Sequence, residues 1–335
     1  MKRTAVFVLV LFGILFAGAG AFSQSADAVR QFVGQLEAGE PATYRNLTVV
    51  PVYFRQVNPA EDASYLTLDQ ALEEGVLEIQ EKDGGDVPWV VVSNRSDKRI
   101  FIMGGEILSG CKQDRIVARD VLIAPYRKRL LLPVYCVEAG RWHHVSGQFK
   151  SEKNLGTYTM RGAAQSSSGN NQSKVWNKVA ESNRRMGVSS DTGAYQDAFR
   201  TEEVAKLVSD VEQKFKDLPL LENDTVGVVI GLGDRIIGFD IFSDPDLFQE
   251  LWPKIIRACV LAMVGYQQET TLSGNRAEQL LNALQWMHYG QRRGVDLGFE
   301  YSGDLNELSV SSLVYRDTVL HLSAAAHDET SERSF

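Results

Sequence analysis

The sequence predicts an α+β fold: an antiparallel, β-rich, sandwich-like sheet system with inserted helices, to which both ends of the chain contribute strands. Three observations lead there. Between Leu47 and Val137, short apolar or alternating runs are separated by closely spaced turn signals, the texture of an antiparallel sheet. Over Tyr195 to Phe215, Phe199, Val204, Leu207, Val208, Val211 and Phe215 recur at helical spacing. From Leu297 to Leu322 the strand texture returns. Strands at both ends with helices between them argue for one domain rather than two in succession, with a helix-bearing second lobe as the alternative.

The N-terminus reads as a secretory leader. Lys2 and Arg3 precede an apolar run from Ala5 to Ala17, and the small residues Gly18, Ala19, Gly20 and Ala21 follow. Cleavage is expected after Ala21, with Ser23 as the alternative, so residues 1–21 are assigned to a signal peptide and the mature protein to the periplasm or the extracellular space. The run is shorter than the ~20 apolar residues that a membrane span needs. Residues 22–46 are read as a lead-in, in which Asp27 to Leu36 forms a short amphipathic helix or stays disordered.

The domain proper is placed at residues 47–323. Strands are expected at Leu47–Phe54, Leu77–Gln80, Trp89–Val92, Ile100–Met103, Ile116–Ala118, Val121–Ile123 and Leu130–Val137, with a short helix at Leu68–Glu74. Gln165 to Ser173 is rich in Ser, Asn and Gly and reads as a flexible loop. Helices are expected at Lys174–Met186, Tyr195–Phe215, Pro245–Met263 and Arg276–Tyr289, with Asp244 capping the third. Gly231-Leu232-Gly233-Asp234 joins two strands as a tight hairpin. The last strands are Leu297–Tyr301, Leu308–Tyr315 and Thr318–Leu322, and residues 324–335 are read as a disordered tail.

Charge narrows the partners. Lys and Arg number 35 against 43 Asp and Glu, a net charge of −8. Removing Lys2 and Arg3 with the leader makes this 33 − 43 = −10. Such a chain is a poor non-specific binder of nucleic acid or anionic membrane, and no second span follows the leader. Cys111, Cys136 and Cys259 allow one disulfide at most, Cys111 with Cys136 being the pair whose segments adjoin. No His, Cys, Asp and Glu spacing matches a metal site, so neither metal nor cofactor is expected. Gly231 to Arg235 fails as a dinucleotide loop because a strand, not a helix, follows it.

Two polar segments interrupt the apolar strands. In the first, Gly104, Gly105, Glu106, Gly110, Cys111, Lys112, Gln113, Asp114 and Arg115 lie together. Glycines permit close backbone approach, and adjacent Lys and Arg can meet a phosphate or carboxylate. The second runs from Cys136 to His144, with Glu138, Arg141 and Trp142; the Trp can stack on a ring. A charged hairpin that pairs with itself is the plain alternative for both.

These segments carry a resemblance. GGEILSGCKQDR and PVYCVEAGRW, with VPWVVVSNRSDKRIFI, SKVWNKV and GLGDRIIGFDIF, resemble a bacterial and archaeal domain family named for its association with ADP-ribosylglycohydrolases and rhodanese-phosphatase proteins. The resemblance spans Leu47 to Leu322. It implies, by association, a role near ADP-ribose or nucleotide metabolism. The family pattern tends to have glycine where this chain has Cys111.

Three functions compete. In the first, an exported domain binds an anionic small molecule, nucleotide-like, ADP-ribose-like or a sugar phosphate. Lys112 and Arg115 hold the anion, Glu106 and Glu138 accept hydroxyl protons, and Gln113, Asp114, Arg141 and Trp142 complete the site. In the second, a hydrolase of a phosphate- or glycosyl-containing small molecule uses Glu106 or Asp114 as general base. In the third, the charged hairpin is a structural or interaction module.

Overall fold

A computed structural model describes residues 19–56, 65–166, 169–218, 225–266, 268 and 270–327. Most of the expected leader, residues 1–18, therefore lies outside the described residues, as does the end of the chain from 328.

The chain opens with α1 (Ala19–Gly34), β1 (Leu36–Ala38), β2 (Ala42–Tyr44) and β3 (Leu47–Phe54). A β-rich stretch follows: β4 (Tyr65–Thr67), α2 (Leu68–Glu73), β5 (Leu77–Glu81), β6 (Trp89–Asn94), β7 (Arg99–Ile102), β8 (Glu106–Gly110), β9 (Arg115–Val117), β10 (Val121–Ile123), β11 (Leu130–Cys136) and β12 (Phe149–Leu155). Helices come next: α3 (Tyr158–Gln165), α4 (Asn171–Arg185), a 3-10 turn (Tyr195–Arg200) and α5 (Glu202–Phe215). The rest is β13 (Thr225–Leu232), β14 (Arg235–Phe242), α6 (Pro245–Met263), α7 (Gly274–Trp286), β15 (Gly290–Arg293), β16 (Phe299–Leu305), β17 (Leu308–Tyr315) and β18 (Thr318–Ala326).

The large sheet has the order β1-β3-β13-β14-β18-β17-β16-β15, with β2 also on β3, and every pairing is antiparallel. Both faces are covered, and β3 shows why all eight of its residues are buried. Leu47 and Val49 point into one core with α5 and α6. Val50, Val52 and Phe54 point into the other with α1 and α7. The period of two along a strand sends alternate side chains to opposite faces, so a doubly covered strand reads as a continuous apolar run.

A six-stranded sheet, β12-β8-β9-β11-β6-β5, and a three-stranded one, β10-β7-β4, enclose a third core that draws Ile79, Val92, Ile102, Leu108, Val117, Ile123 and Leu132 from both. The α+β class and the strands from both chain ends are as the sequence predicts.

Several elements differ. The lead-in is part of the fold: Val29, Phe32, Val33 and Leu36 are buried, and β1 and β2 join the large sheet. The last strand runs on through Ala326, so the segment from 324 begins inside the sheet. The expected helix over Tyr195–Phe215 breaks at Thr201. Its side chain accepts a hydrogen bond from the Val204 N–H and starts α5 afresh. Strand β12 and helix α3 carry no strong periodicity and escape the sequence reading. The Gly233-Asp234 hairpin and the Asp244 cap are found as expected.

Candidate functional site

The double glycine that opens the first polar segment serves packing. A Cβ on Gly104 would stand 2.8 Å from the Arg119 Cα, and the Gly104 N–H donates to Asp120 Oδ1 at 2.7 Å. Gly105 has φ +103°, and a Cβ there would stand 2.6 Å from the Arg161 side chain. Cys111, at φ +48°, also occupies the left-handed region, so the backbone here suits the glycine of the family pattern.

Beyond this point the segment splits in four directions. Glu106 is buried; its carboxylate accepts from the Met103 N–H at 3.0 Å and contacts Lys254 Nζ, which lies 2.9 Å from Asp69. Burial pushes the Glu106 carboxyl up, against the pull of Lys254. Burial alone would lower the Lys254 ammonium, but Glu106 and Asp69 hold it above the ordinary lysine value. Glu106 is thus an ion-pair partner beneath a second cavity, lined by Asp69 and Lys254 among others.

Arg115 is fully buried. Its Nη1 donates to Gln113 Oε1 at 2.9 Å, its Nη2 lies 3.7 Å from Glu81 Oε1, and Gln113 Nε2 donates to the Glu138 carbonyl at 3.0 Å. Lys112, whose N–H donates to the same Glu81 oxygen at 3.1 Å, sends its side chain to the surface. Its Nζ contacts the Gly84 carbonyl and sits 5.0 Å from the centroid of the Trp142 ring, which is half exposed. The arrangement in which Lys112 and Arg115 grip an anion in one cavity with Trp142 is therefore not the one adopted.

Asp114, Glu138 and Arg141 do converge. Arg141 Nη2 donates to Asp114 Oδ1 at 3.0 Å, its Nε to Glu138 Oε2 at 2.8 Å, and its Nη1 to the Cys111 carbonyl at 2.8 Å. The Asp114 N–H donates to Glu138 Oε2 at 3.1 Å, and Asp114 accepts from Ser109 Oγ and the Gly110 N–H. The three side chains line an open cleft of about 700 Å³, whose opposite wall is residues 188–201. That wall is docked by the Glu138–Ala194 bridge, the Tyr195 N–H to Val137 carbonyl bond, and the Gly140 N–H to Thr192 carbonyl bond at 2.7 Å. A Cβ on Gly140 would stand 2.9 Å from Thr192, so glycine lets the walls meet. Ser109, Ser146, Lys150 and Glu152 also line it, and the wall contributes Asp191, Asp197 and Arg200 among others.

The two carboxyls are driven apart electrostatically. Burial, reinforced by Glu138, pushes Asp114 up. Burial acts the same way on Glu138, but side-chain hydrogen bonds from Arg141 and Thr192 and the Asp114 N–H hold it below the ordinary value. All three cysteines are buried and none is in a disulfide, so the Cys111–Cys136 pair is not made. Burial raises both of these thiols, which withholds the reactive thiolate. Among the described residues no group of His, Cys, Asp and Glu is placed to hold a metal ion.

The sequence reading missed a further cluster, fully buried where α3, β14 and β18 meet the loop after β9. His321 Nδ1 lies 2.7 Å from Asp120 Oδ2, and its Nε2 3.1 Å from Asp240 Oδ1. Arg161 grips both Asp240 oxygens at 2.8 and 2.5 Å, and Tyr158 Oη donates to Asp240 at 2.7 Å. One signal existed: single charged residues inside the apolar strands GFDIF and TVLHL.

The family model for the ARG and Rhodanese-Phosphatase-superfamily-associated Protein domain matches residues 35–325. No curated protein and no solved structure matches the chain.

Proposed function

The chain belongs to the family of ARG and Rhodanese-Phosphatase-superfamily-associated Protein domains, and on that premise we propose that it is an exported binding domain for a hydroxyl-bearing anionic small molecule, seated in the cleft floored by Asp114, Glu138 and Arg141. One observation carries the reading: three charged side chains, each at most one-tenth exposed, line an open cleft instead of being sealed in the core. Charged groups so nearly desolvated interact strongly with whatever enters. The carboxylates accept ligand hydroxyls. The anionic end falls to Lys150 and to Arg200, which a ligand would share with Asp197 at 2.7 Å, in place of Lys112 and Arg115. Nucleotides, ADP-ribose and sugar phosphates are the ligands to try first.

Export is part of the proposal. A cut after Ala21 removes only the start of α1 and keeps its packed residues Val29, Phe32 and Val33. N-terminal sequencing of the extracytoplasmic protein tests it, and an intact Met1 on a cytosolic product would sink it.

The binding test is a thermal melt with and without each ligand, because a ligand of the native state raises the transition by mass action. Glu138→Gln should abolish the shift while melting cooperatively. The absence of a shift with every ligand of this class counts against the cleft.

A hydrolase is the second reading, favoured by the opposed displacement of the two carboxyls: Asp114, raised, is the better proton donor of the pair, and Glu138, lowered, the better acceptor. Asp114→Asn should then retain binding and lose turnover.

A further inference from the structure

Away from this cleft, two arginines share one buried carboxylate. Glu300 on β16 is 3% exposed. Its cross-strand neighbour on β15, Arg292, contacts Oε1 through Nη2, and Ser311 Oγ donates to the same oxygen at 3.4 Å. Arg119 Nη1 stands 3.6 Å from Oε2, too far for a hydrogen bond. The Arg119 side chain is only 24% exposed, and its Nε is buried without a hydrogen-bond partner among the described residues. Burial and repulsion from Arg292 both lower its hold on the proton.

The arrangement therefore has one positive charge in excess and one guanidinium, 24% exposed, whose buried Nε has no hydrogen bond to compensate it. A buried cation in that state costs free energy unless an anion shares it. The chain is otherwise acidic, with 43 Asp and Glu against 35 Lys and Arg, so a local excess of guanidinium stands out. We propose that Arg119 and Arg292 form a subsite for a phosphate-type oxyanion, separate from the Asp114–Glu138–Arg141 cleft. Arg292, about half exposed, gives it access to solvent. The planar N–H forks of two guanidiniums match the oxygens of a tetrahedral oxyanion, and Glu300 competes with it for both.

The test titrates the mature protein with inorganic phosphate, followed by calorimetry and by thermal melt at fixed ionic strength. Vesicles of phosphatidylglycerol form a separate arm, to tell soluble from lipid-borne phosphate. Saturable binding in either arm is expected, weakened roughly tenfold or more in Arg119→Gln and in Arg292→Gln with melting retained, as befits lost charged hydrogen bonds. Glu300→Gln should bind phosphate more tightly, because its competing charge is gone; arginines that served only to neutralise Glu300 would instead give a destabilised variant indifferent to phosphate. If Glu300→Gln does not fold, the two arginine variants decide. No saturable binding by the unmodified protein in either arm, or affinity unchanged in Arg119→Gln, overturns the proposal.

Discussion

His321 Nδ1 and Asp120 Oδ2 are held 2.7 Å apart, tying the last strand of the large sheet to the loop that leaves β9. The ring's other nitrogen reaches Asp240 on β14, the neighbouring strand of the same sheet, so the imidazole links that sheet to the β9–β10 loop through Asp120. Burial alone would make the imidazolium give up its proton, but Asp120 and Asp240 raise its pKa to about 9 from the ordinary 6.5. A group whose folded pKa is raised contributes stability that is fully present below its unfolded pKa and lost as pH rises through the folded one. Urea unfolding should therefore show stability falling between pH 6.5 and about 9, by on the order of 3 kcal/mol. In Asp120→Asn the decline should shrink and shift to lower pH. A flat profile over that window in the unmodified protein would refute the charged pairing.

Asp240 sets the opposite limb. Burial acts to raise it, yet Arg161 and His321 hold it at about 2, below the ordinary 3.8. Its contribution is present above 3.8 and is lost as pH falls through about 2. Arg161→Leu removes the bidentate partner and should cost roughly 3–5 kcal/mol, as breaking a buried pair does. Chemical denaturation at neutral pH measures it.

Gly105→Ala should act through the same pair. The new methyl would stand 2.6 Å from an Arg161 side chain pinned by Asp240, on a backbone at φ +103°. Strain of this kind costs on the order of 1–3 kcal/mol. A melting temperature unchanged by the substitution would mean that Arg161 yields freely.

The class of the fold was legible because apolar periodicity reports burial directly. Strand β3 and the Gly233-Asp234 hairpin needed nothing more. Elements held by distant partners were not legible. The β12 strand reads as FKSEKNL, polar because it lies at a sheet edge, and its pairing with β8 decides its conformation. The site was half legible for a related reason. Composition marked Asp114, Arg115, Glu138 and Arg141 as a group, but which face of a short strand each takes depends on register. Arg115 lies opposite Cys136 across β9 and β11 and points inward, whereas Asp114 precedes the strand and opens to the cleft. The wall of residues 188–201 carried no motif at all.

Deleting residues 297–322 should abolish cooperative unfolding. The segment removes β16, β17 and most of β18, and so strips β14 of its neighbour in the middle of the large sheet. It also removes His321 and leaves Asp120 and Asp240 buried with fewer partners. Circular dichroism melting checks this, and a sharp, unshifted transition in the truncated protein would show that the sheet closes without the tail.

Arg115 and Glu138 separate the structural part of the polar hairpin from the part that faces solvent. Arg115 is wholly buried, with one hydrogen bond from Nη1 to Gln113 and Glu81 at 3.7 Å. Arg115→Ala leaves Glu81 nearly buried without its cation and opens a large hole beside Cys136, so several kcal/mol of stability should go. Glu138→Gln keeps the side-chain volume and an oxygen to accept from Arg141 and the Asp114 N–H, and Asp114 still faces Arg141. Its fold should survive within about 1–2 kcal/mol, since one charged hydrogen bond is exchanged for a neutral one. Paired urea titrations read both. Equal losses would make the whole hairpin a structural network, with the carboxylates at the cleft serving Arg141 alone. A wide gap, Arg115→Ala collapsing while Glu138→Gln stands, leaves Asp114 and Glu138 free to be assigned to whatever the cleft admits.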